Sequence, residues 1–139
     1  MNTRETVMVI SAARSDRGVA ANLARKKMLR NDLDALARQD KIRFASALGF
    51  YNGESEHSFV VVVQDASAIK TVLGLGVYYD QECVLIRDDS GVHLHYMQYF
   101  PQPFRAPERI GRDLFPIEFD GPNRPEAYTY FNGQAWVAA

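Results

Sequence analysis

Ser58-Phe59-Val60-Val61-Val62-Val63 is the stretch of sequence from which the fold can be worked out. Five apolar residues in a row, four of them β-branched, predict a strand that is covered on both of its faces. Four further segments have the composition of strands: residues 6–13, 42–51, 82–87 and 92–99. Because Asn52-Gly53 is a preferred type I′ turn pair, residues 42–51 are expected to form a hairpin with the central strand.

Two helices are predicted between these strands. The first covers residues 19–38, where apolar side chains recur on one helical stripe, and its N-cap is expected at Ser15 or Asp16. The second covers residues 65–75, with Asp65 as the candidate N-cap and Gly74 or Gly76 near its end. The resulting order β-α-β-β-α-β predicts an α+β fold, namely a ferredoxin-like sandwich with extra C-terminal strands. The stripe of the first helix consists of Val19, Leu29, Leu33, Leu36 and Ala37.

The C-terminal part of the chain divides into two segments. Residues 101–125 are rich in proline and lack periodicity, which predicts a long loop that is functional or wraps around a neighbour. Residues 127–137 contain two short strand-like segments around Asn132-Gly133 and predict a terminal hairpin. Since no internal repeat or domain boundary is visible, residues 1–139 are expected to form a single domain.

Composition excludes several classes of protein. The chain has 139 residues, of which 47% are hydrophobic and 24% charged, as in folded globular proteins. Its net charge is −1, whereas nucleic-acid-binding proteins usually carry a marked basic excess. The N-terminal sequence lacks the pattern of a secretory signal, and no apolar run reaches the roughly 18 residues of a membrane span. We therefore expect a cytoplasmic protein that binds neither nucleic acid nor membrane.

Cysteine and histidine residues offer little for metal or disulfide chemistry. Cys83 is the single cysteine, so no disulfide forms within the chain, and its apolar neighbours predict a buried thiol. His93 and His95 alternate along one strand face, but they have no second cysteine or clear carboxylate partner close in sequence. No metal site is predicted.

Five short motifs follow one another along the chain. They are Ser11-Ala12-Ala13-Arg14-Ser15, Asn22-x-x-Arg25, Gly49-Phe50-Tyr51 followed by Glu56, Gln81-Glu82-Cys83-Val84-Leu85, and Phe131-x-x-x-x-Trp136. With these motifs in this order, residues 7–137 resemble the phage S-adenosylmethionine hydrolases, better called lyases. The stretch between Tyr51 and Glu56 is shorter than in those enzymes. Through Glu56-His57-Ser58-Phe59 the chain is also similar to a group of bacterial proteins of unassigned function.

The resemblance implies an enzyme that acts on S-adenosylmethionine without a metal or cofactor. It also implies a homotrimer that resembles PII signalling proteins, with active sites between subunits. Tyr51 would offer a ring face to the sulfonium cation, an interaction worth about 0.5–2 kcal/mol, and Glu56 would supply the opposite charge or hydrogen-bond a substrate group. These two residues are the candidate catalytic residues, and the candidate substrate-binding residues are Ser11, Ala12, Arg14, Gln81 and Glu82.

The reaction implied by the resemblance needs little chemical assistance. A substrate carboxylate that attacks its own γ-carbon releases 5′-methylthioadenosine and homoserine lactone, and well-oriented attack of this kind reaches effective molarities of about 10⁵–10⁸ M. In a phage, this activity would counter restriction in the host cytoplasm. Hydrolysis with Glu56 as general base is an alternative. A non-catalytic, PII-like module of bacterial origin that binds a nucleotide or metabolite, and a bacterial interaction protein, also remain open.

Overall fold

The computed structural model describes residues 5–51, 53–97, 103–119 and 124–139. Two helices and nine strands follow one another along these residues. The helices are α1 (Val19–Arg38) and α2 (Ser67–Tyr78). The strands are β1 (Thr6–Ser11), β2 (Ile42–Tyr51), β3 (Glu54–Val63), β4 (Cys83–Asp88), β5 (Gly91–Tyr96), β6 (Glu108–Gly111), β7 (Leu114–Ile117), β8 (Ala127–Phe131) and β9 (Gln134–Ala138).

The described strands form one antiparallel sheet in the order β6-β5-β4-β1-β3-β2-β8-β9-β7. The two edge strands, β6 and β7, are consecutive in sequence and are joined by residues 112–113. The Arg112 amide donates a hydrogen bond to the Ala139 carbonyl at 2.9 Å, which brings the two edges together. The sheet is therefore nearly closed into a barrel, and the predicted α+β class is confirmed.

The main core lies between the helices and one face of the sheet. Because side chains alternate between the two faces of a strand, every second residue of the central strands points toward the helices. The buried sheet residues of this core include Met8, Ile10, Phe59, Val61, Val84 and Ile86, and the helices contribute Leu29, Leu33, Leu36, Ala68 and Val72.

The opposite face of the sheet, here called the helix-free face, carries a smaller core. Val7, Ala47 and Val60 are buried there, with Val62 packed against them. No described helix covers this face, so the curvature of the sheet itself encloses these residues. Phe59 and Val61 face the helices while Val60 and Val62 face the other way, which confirms that this strand is covered on both faces.

A buried arginine joins the central sheet to the segment that nearly closes the barrel. Arg87 on β4 pairs with Val7 on β1, so its side chain shares the helix-free face. It is 1% exposed, and its Nε lies 3.6 Å from Oδ1 of Asp113 in the β6–β7 link. This ion pair therefore connects a central strand to the link between the two sheet edges.

The ends of both helices differ from the sequence predictions. The N-cap of α1 is Gly18, without a side-chain cap, because Asp16 is instead paired with Arg14 at 2.9 Å. Val19, placed on the apolar stripe by the periodicity, is 79% exposed in the first turn. Helix α2 continues to Tyr78, so neither Gly74 nor Gly76 ends it.

Gly76 has a packing role in α2 that explains its position inside the helix. A Cβ at this residue would lie 2.8 Å from the Met97 sulfur and 2.9 Å from a Val84 methyl carbon. The helix therefore approaches the sheet closely at this point. At the other end of α2, the Asp65 carboxylate accepts a hydrogen bond from the Ser67 amide at 2.9 Å, although the cap residue itself is Ala66.

Two segments contain more strand than the sequence predicts. The expected loop 101–125 contains β6 and β7, which pair with β5 and β9, so the prediction of a long loop was wrong for these residues. Strand β3 begins at Glu54 and pairs with β2 from there, with Gly53 in the turn at φ +82°. Asn52 and residues 98–102 lie outside the described residues.

Other local predictions can be compared directly with the structure. Strands β8 and β9 pair around Asn132-Gly133, both at positive φ, where the terminal hairpin was predicted. Cys83 is only half-buried, because it lies at the start of β4 near the edge of the core. Among the described residues, neither α1 nor α2 combines the length and apolar character of a membrane-spanning helix.

Candidate active site

The segment that follows β1 is held by side chains of α1. The Asn22 side-chain oxygen accepts a hydrogen bond from the Arg14 amide at 3.0 Å, and its nitrogen donates to the Arg14 carbonyl at 2.9 Å. Arg25 donates to the Ala12 carbonyl at 2.7 Å and also to the Tyr79 carbonyl. Ala12 itself is buried in the core. The second sequence motif therefore fixes the backbone of the first.

Gln81 supports the same segment from the other side. It is buried, and its side-chain nitrogen donates to the carbonyls of Ala13 at 3.1 Å and Tyr79 at 3.3 Å. The Ala13 carbonyl obtains a hydrogen-bond donor from Gln81, and the Tyr79 carbonyl accepts from both Gln81 and Arg25. In this chain Gln81 and Ala12 therefore lie behind the site as supports rather than at its surface.

Ser11 and Glu56 meet at the end of β1. Ser11 is buried beside Ser58, and its hydroxyl donates to the His57 carbonyl at 2.6 Å while accepting from the Ala13 amide at 3.0 Å. Partial desolvation raises the pKa of the Glu56 carboxyl above its ordinary value, and hydrogen bonding from Ser11 partly opposes this increase. The two acceptors, Glu56 and the His57 carbonyl, compete for one hydroxyl proton.

Tyr51 lies near Glu56 on the neighbouring strand. Gly49 pairs with Glu56 and Tyr51 pairs with Glu54, so Tyr51 and Glu56 are diagonal neighbours on the helix-free face. Such positions are separated by about 7–8 Å between Cα atoms, within reach of long side chains. The Tyr51 side chain is 66% exposed, which leaves its ring available for contact. The structure thus brings together the two predicted catalytic residues.

A charged cleft of about 510 Å³ opens beyond the ends of β1 and β5. It contains Arg14 and Glu82, two of the predicted substrate-binding residues, but neither Tyr51 nor Glu56 lines it. The Arg14 side chain donates to Asp16 and to the Asp80 carbonyl. The charged residues that line this cleft are Arg14, Asp16, Arg17, Asp80, Glu82 and Arg105.

Cys83 lies between Glu56 and the charged cleft. The β1–β4 register, continued beyond Val9 and Leu85, puts Cys83 beside Ser11, and Cys83 pairs with Tyr96 on β5. Burial, followed by the charges of Glu82 and Glu56, raises the pKa of the thiol to about 11. The thiol is thus protonated near neutral pH and unsuited to act as a nucleophile. A row of residues on the helix-free face links Glu56, through Ser11 and Cys83, to Tyr96.

Residues 8–139 match the S-adenosylmethionine lyase family. The chain belongs to the S-adenosylmethionine lyase family. This match confirms the family resemblance and the enzyme class predicted from the sequence motifs. No curated protein matches the chain. S-adenosylmethionine as the substrate is consistent with membership of this family.

The charges and rings of this lyase suit a substrate that is both cationic and zwitterionic. Carboxylate and aromatic groups at Glu56 and Tyr51 favour a sulfonium cation, and the charged cleft offers both signs of charge to an amino-acid group.

Within the described ranges, no group of three or more His, Cys, Asp or Glu residues has the arrangement of a metal site.

Of the residues that line the charged cleft, sequence reasoning named only Arg14 and Glu82 as site residues, and Tyr96 and Arg105 are among those it missed. Tyr96 ends β5 and Arg105 belongs to the Pro-rich segment, and both line the cleft. No motif marks either residue, because they are brought to the site by strand pairing and by the path of the chain after β5. For Asn22, its polar character on an apolar helix stripe was a usable signal.

Proposed function

We propose that this S-adenosylmethionine lyase converts its substrate into 5′-methylthioadenosine and homoserine lactone. A carboxylate oxygen of the substrate forms a bond to the γ-carbon as the bond from that carbon to sulfur breaks. The electron pair of the broken bond stays on sulfur, which becomes the neutral thioether of methylthioadenosine. The reaction needs no water, proton donor, metal or cofactor. The observation that carries the proposal is the diagonal placement of Tyr51 and Glu56 on one sheet face in a chain of this family.

In this reaction the protein mainly holds the substrate in a bent conformation. Orientation of an intramolecular nucleophile supplies roughly 7–11 kcal/mol of the barrier, so no side-chain nucleophile is required. The Tyr51 ring face and the Glu56 carboxylate stabilise the sulfonium end while the carboxylate closes onto the γ-carbon. The protonated thiol of Cys83 takes no part in the chemistry.

The remaining substrate contacts divide into backbone and side-chain contributions. The segment after Ser11 and Ala12 offers the second lone pairs of its backbone carbonyls to the substrate, since the Ala13 and Arg14 amides already donate to Ser11 and Asn22, and Gln81 keeps the segment in position through the Ala13 carbonyl. Arg14 and Glu82 contribute charges from the charged cleft. The segment is thus fixed before the substrate binds, which lowers the entropic cost of binding.

The assembly we propose is a PII-like homotrimer of ferredoxin-like subunits with active sites between subunits. The central strand order β4-β1-β3-β2 supports the ferredoxin-like unit, because that fold interleaves its two βαβ halves in this way. The exposure of Tyr51 supports a shared site, since a neighbouring subunit would cover the ring and remove water from the sulfonium. Light scattering that gives the mass of a monomer would contradict this assembly.

The products decide between the lactone route and hydrolysis. Purified protein is incubated with S-adenosylmethionine in ¹⁸O-water, and the products are separated by chromatography and analysed by mass spectrometry. The lactone route predicts homoserine lactone first, and later homoserine with ¹⁸O in its carboxyl group. Direct hydrolysis at the γ-carbon would give open-chain homoserine from the outset, with ¹⁸O in its hydroxyl group. Tight binding without products would contradict the proposed reaction altogether.

The biological role that we propose is protection of a phage against restriction in the host cytoplasm. Removal of S-adenosylmethionine deprives the restriction and methylation enzymes that depend on it. Expression of the chain in a bacterium with such a restriction system should raise the plating efficiency of an unmodified phage. The inactive Glu56→Gln variant should give no increase, and an equal increase with that variant would contradict the role.

A further inference from the structure

Arg105 occupies an unusual position at the edge of the charged cleft. Its guanidinium carbon lies 3.5 Å from the centroid of the Tyr96 ring, so the two planar groups are in close contact. The Tyr96 hydroxyl donates to the Glu108 carboxylate at 2.7 Å, which fixes the ring in turn. A side chain from the Pro-rich segment is therefore held in one orientation at the cleft surface.

The hydrogen-bonding capacity of Arg105 is unused within the described residues. Its closest carboxylate oxygens belong to Glu82 at 3.8 Å and Glu108 at 4.0 Å, both longer than a hydrogen bond. By contrast, the Arg14 guanidinium donates to Asp16 and to the Asp80 carbonyl. Arg17 also lines the cleft and lies 3.7 Å from the Asp80 carboxylate, but among the described residues no ring contact orients its side chain. Arg105 is thus the cleft arginine that combines a fixed plane with available N–H groups.

A guanidinium with these properties matches a carboxylate. Its parallel N–H groups can donate to both oxygens of one carboxylate, and stacking on an aromatic ring reduces the conformational freedom lost on binding. Glu82 adds a negative charge 3.8 Å away, so neighbouring positive and negative charges are presented together. An α-amino acid group carries a negative carboxylate beside a positive ammonium, so its two charges are complementary to those of Arg105 and Glu82.

We propose that Arg105 binds the α-carboxylate of S-adenosylmethionine, with Glu82 accepting from the adjacent α-ammonium. This inference rests on the proposed function and identifies which end of the substrate enters the charged cleft. Cys83 pairs with Tyr96, the ring against which Arg105 lies, and the β1–β4 register continued by two residues puts Cys83 beside Ser11, the neighbour of Glu56. The sulfonium is then bound at Tyr51 and Glu56, and the amino-acid end at Arg105. Arg105 is a positioning residue, because it orients the carboxylate that closes the lactone.

Two ligands that cannot form the lactone test this assignment by isothermal titration calorimetry. S-adenosylhomocysteine keeps the carboxylate but lacks the sulfonium, and decarboxylated S-adenosylmethionine keeps the sulfonium but lacks the carboxylate. Arg105→Ala should weaken binding of the first about 10- to 100-fold, as expected for loss of a charged hydrogen-bonded pair, and change binding of the second less than about twofold. Arg105→Lys should retain part of the affinity, because lysine keeps the positive charge but lacks the two parallel N–H groups of the guanidinium.

Arg43→Ala is the matched control, because Arg43 is an exposed arginine with one ion pair to Glu5 and lies outside the cleft. It should bind both ligands as the wild type does. Equal weakening of both ligands by Arg105→Ala, or no weakening of either, would overturn the assignment. The lactone route is judged separately from the position of ¹⁸O in the products, so either proposal can fail while the other stands.

Discussion

The residues predicted to form the site lie in two regions with different surroundings. Ala12 and Gln81 are buried behind the segment that follows β1, where Gln81 donates to two backbone carbonyls. Tyr51, Glu56 and Glu82 are exposed, on the helix-free face or at the charged cleft. Both regions come from the same sequence motifs, yet the first has its hydrogen bonds satisfied within the protein and the second does not.

This difference separates residues that stabilise the fold from residues that are expected to contact the substrate. A buried amide whose partners are backbone carbonyls has no capacity left for a substrate at those atoms, so its loss should lower stability. An exposed carboxylate or ring has few protein partners, so its loss should lower activity and leave stability nearly unchanged. Each prediction below tests one side of this comparison.

Glu56→Gln should have the largest effect. Loss of the negative charge beside the sulfonium is expected to reduce kcat/KM at least about 100-fold, the size typical of removing one electrostatic contact to the transition state. Product formation is measured by chromatography, and circular dichroism with thermal melting should show an unchanged fold. Glu54→Gln, two residues away on the same exposed face, is the matched control and should keep its activity within about twofold.

Gln81→Ala should mainly destabilise the fold. It leaves the Ala13 carbonyl without its buried donor, and such losses cost about 1–3 kcal/mol. Urea denaturation should show the decrease in the free energy of unfolding. Gln64→Ala, at an exposed glutamine, should show no decrease. If Gln81→Ala kept full stability but had a raised KM, Gln81 would instead be a residue that contacts the substrate.

Tyr51→Ala should reduce kcat/KM about 2- to 30-fold, which corresponds to the loss of a cation–π contact of about 0.5–2 kcal/mol. Tyr51→Phe retains the ring face and should remain close to the wild type. Equal losses in both variants would instead indicate a role for the hydroxyl group. The melting temperature of each variant, measured alongside, should not change because the side chain is exposed.

Ser11→Ala should have the smallest effect on activity, visible in the pH dependence of kcat/KM, while loss of its buried hydroxyl should also lower stability. In the proposed mechanism the ionised form of Glu56 is the active one, and because desolvation raises the pKa of this group, activity should fall on acidification at a pH above its ordinary 4.5. Hydrogen bonding from Ser11 lowers that pKa, so its removal should shift the acid limb to still higher pH. A shift of the acid limb to lower pH, or no shift, would show that Ser11 does not lower the pKa of Glu56.

Much of the fold could be predicted from local sequence. The run Phe59–Val63 specified a strand covered on both faces, and alternation together with 3.6-residue periodicity located the other early strands and both helices. Helix ends were less accurate because Asp16 had a competing partner in Arg14 and because Gly76 permits close packing. Strands β6 and β7 were missed because their short, proline-flanked segments gain stability only from pairing with distant strands.

For the site, the sequence by itself determined the type of residues and the family to which they belong. The motifs that contain Tyr51 and Glu56 were recognisable because their residue types follow one another at short spacing in the chain. Tertiary structure alone decided which motif residues are buried supports and which are exposed, and it brought Tyr96 and Arg105 to the charged cleft. The physical reason is that burial and proximity arise from strand register and sheet curvature, which depend on contacts between residues far apart in the chain.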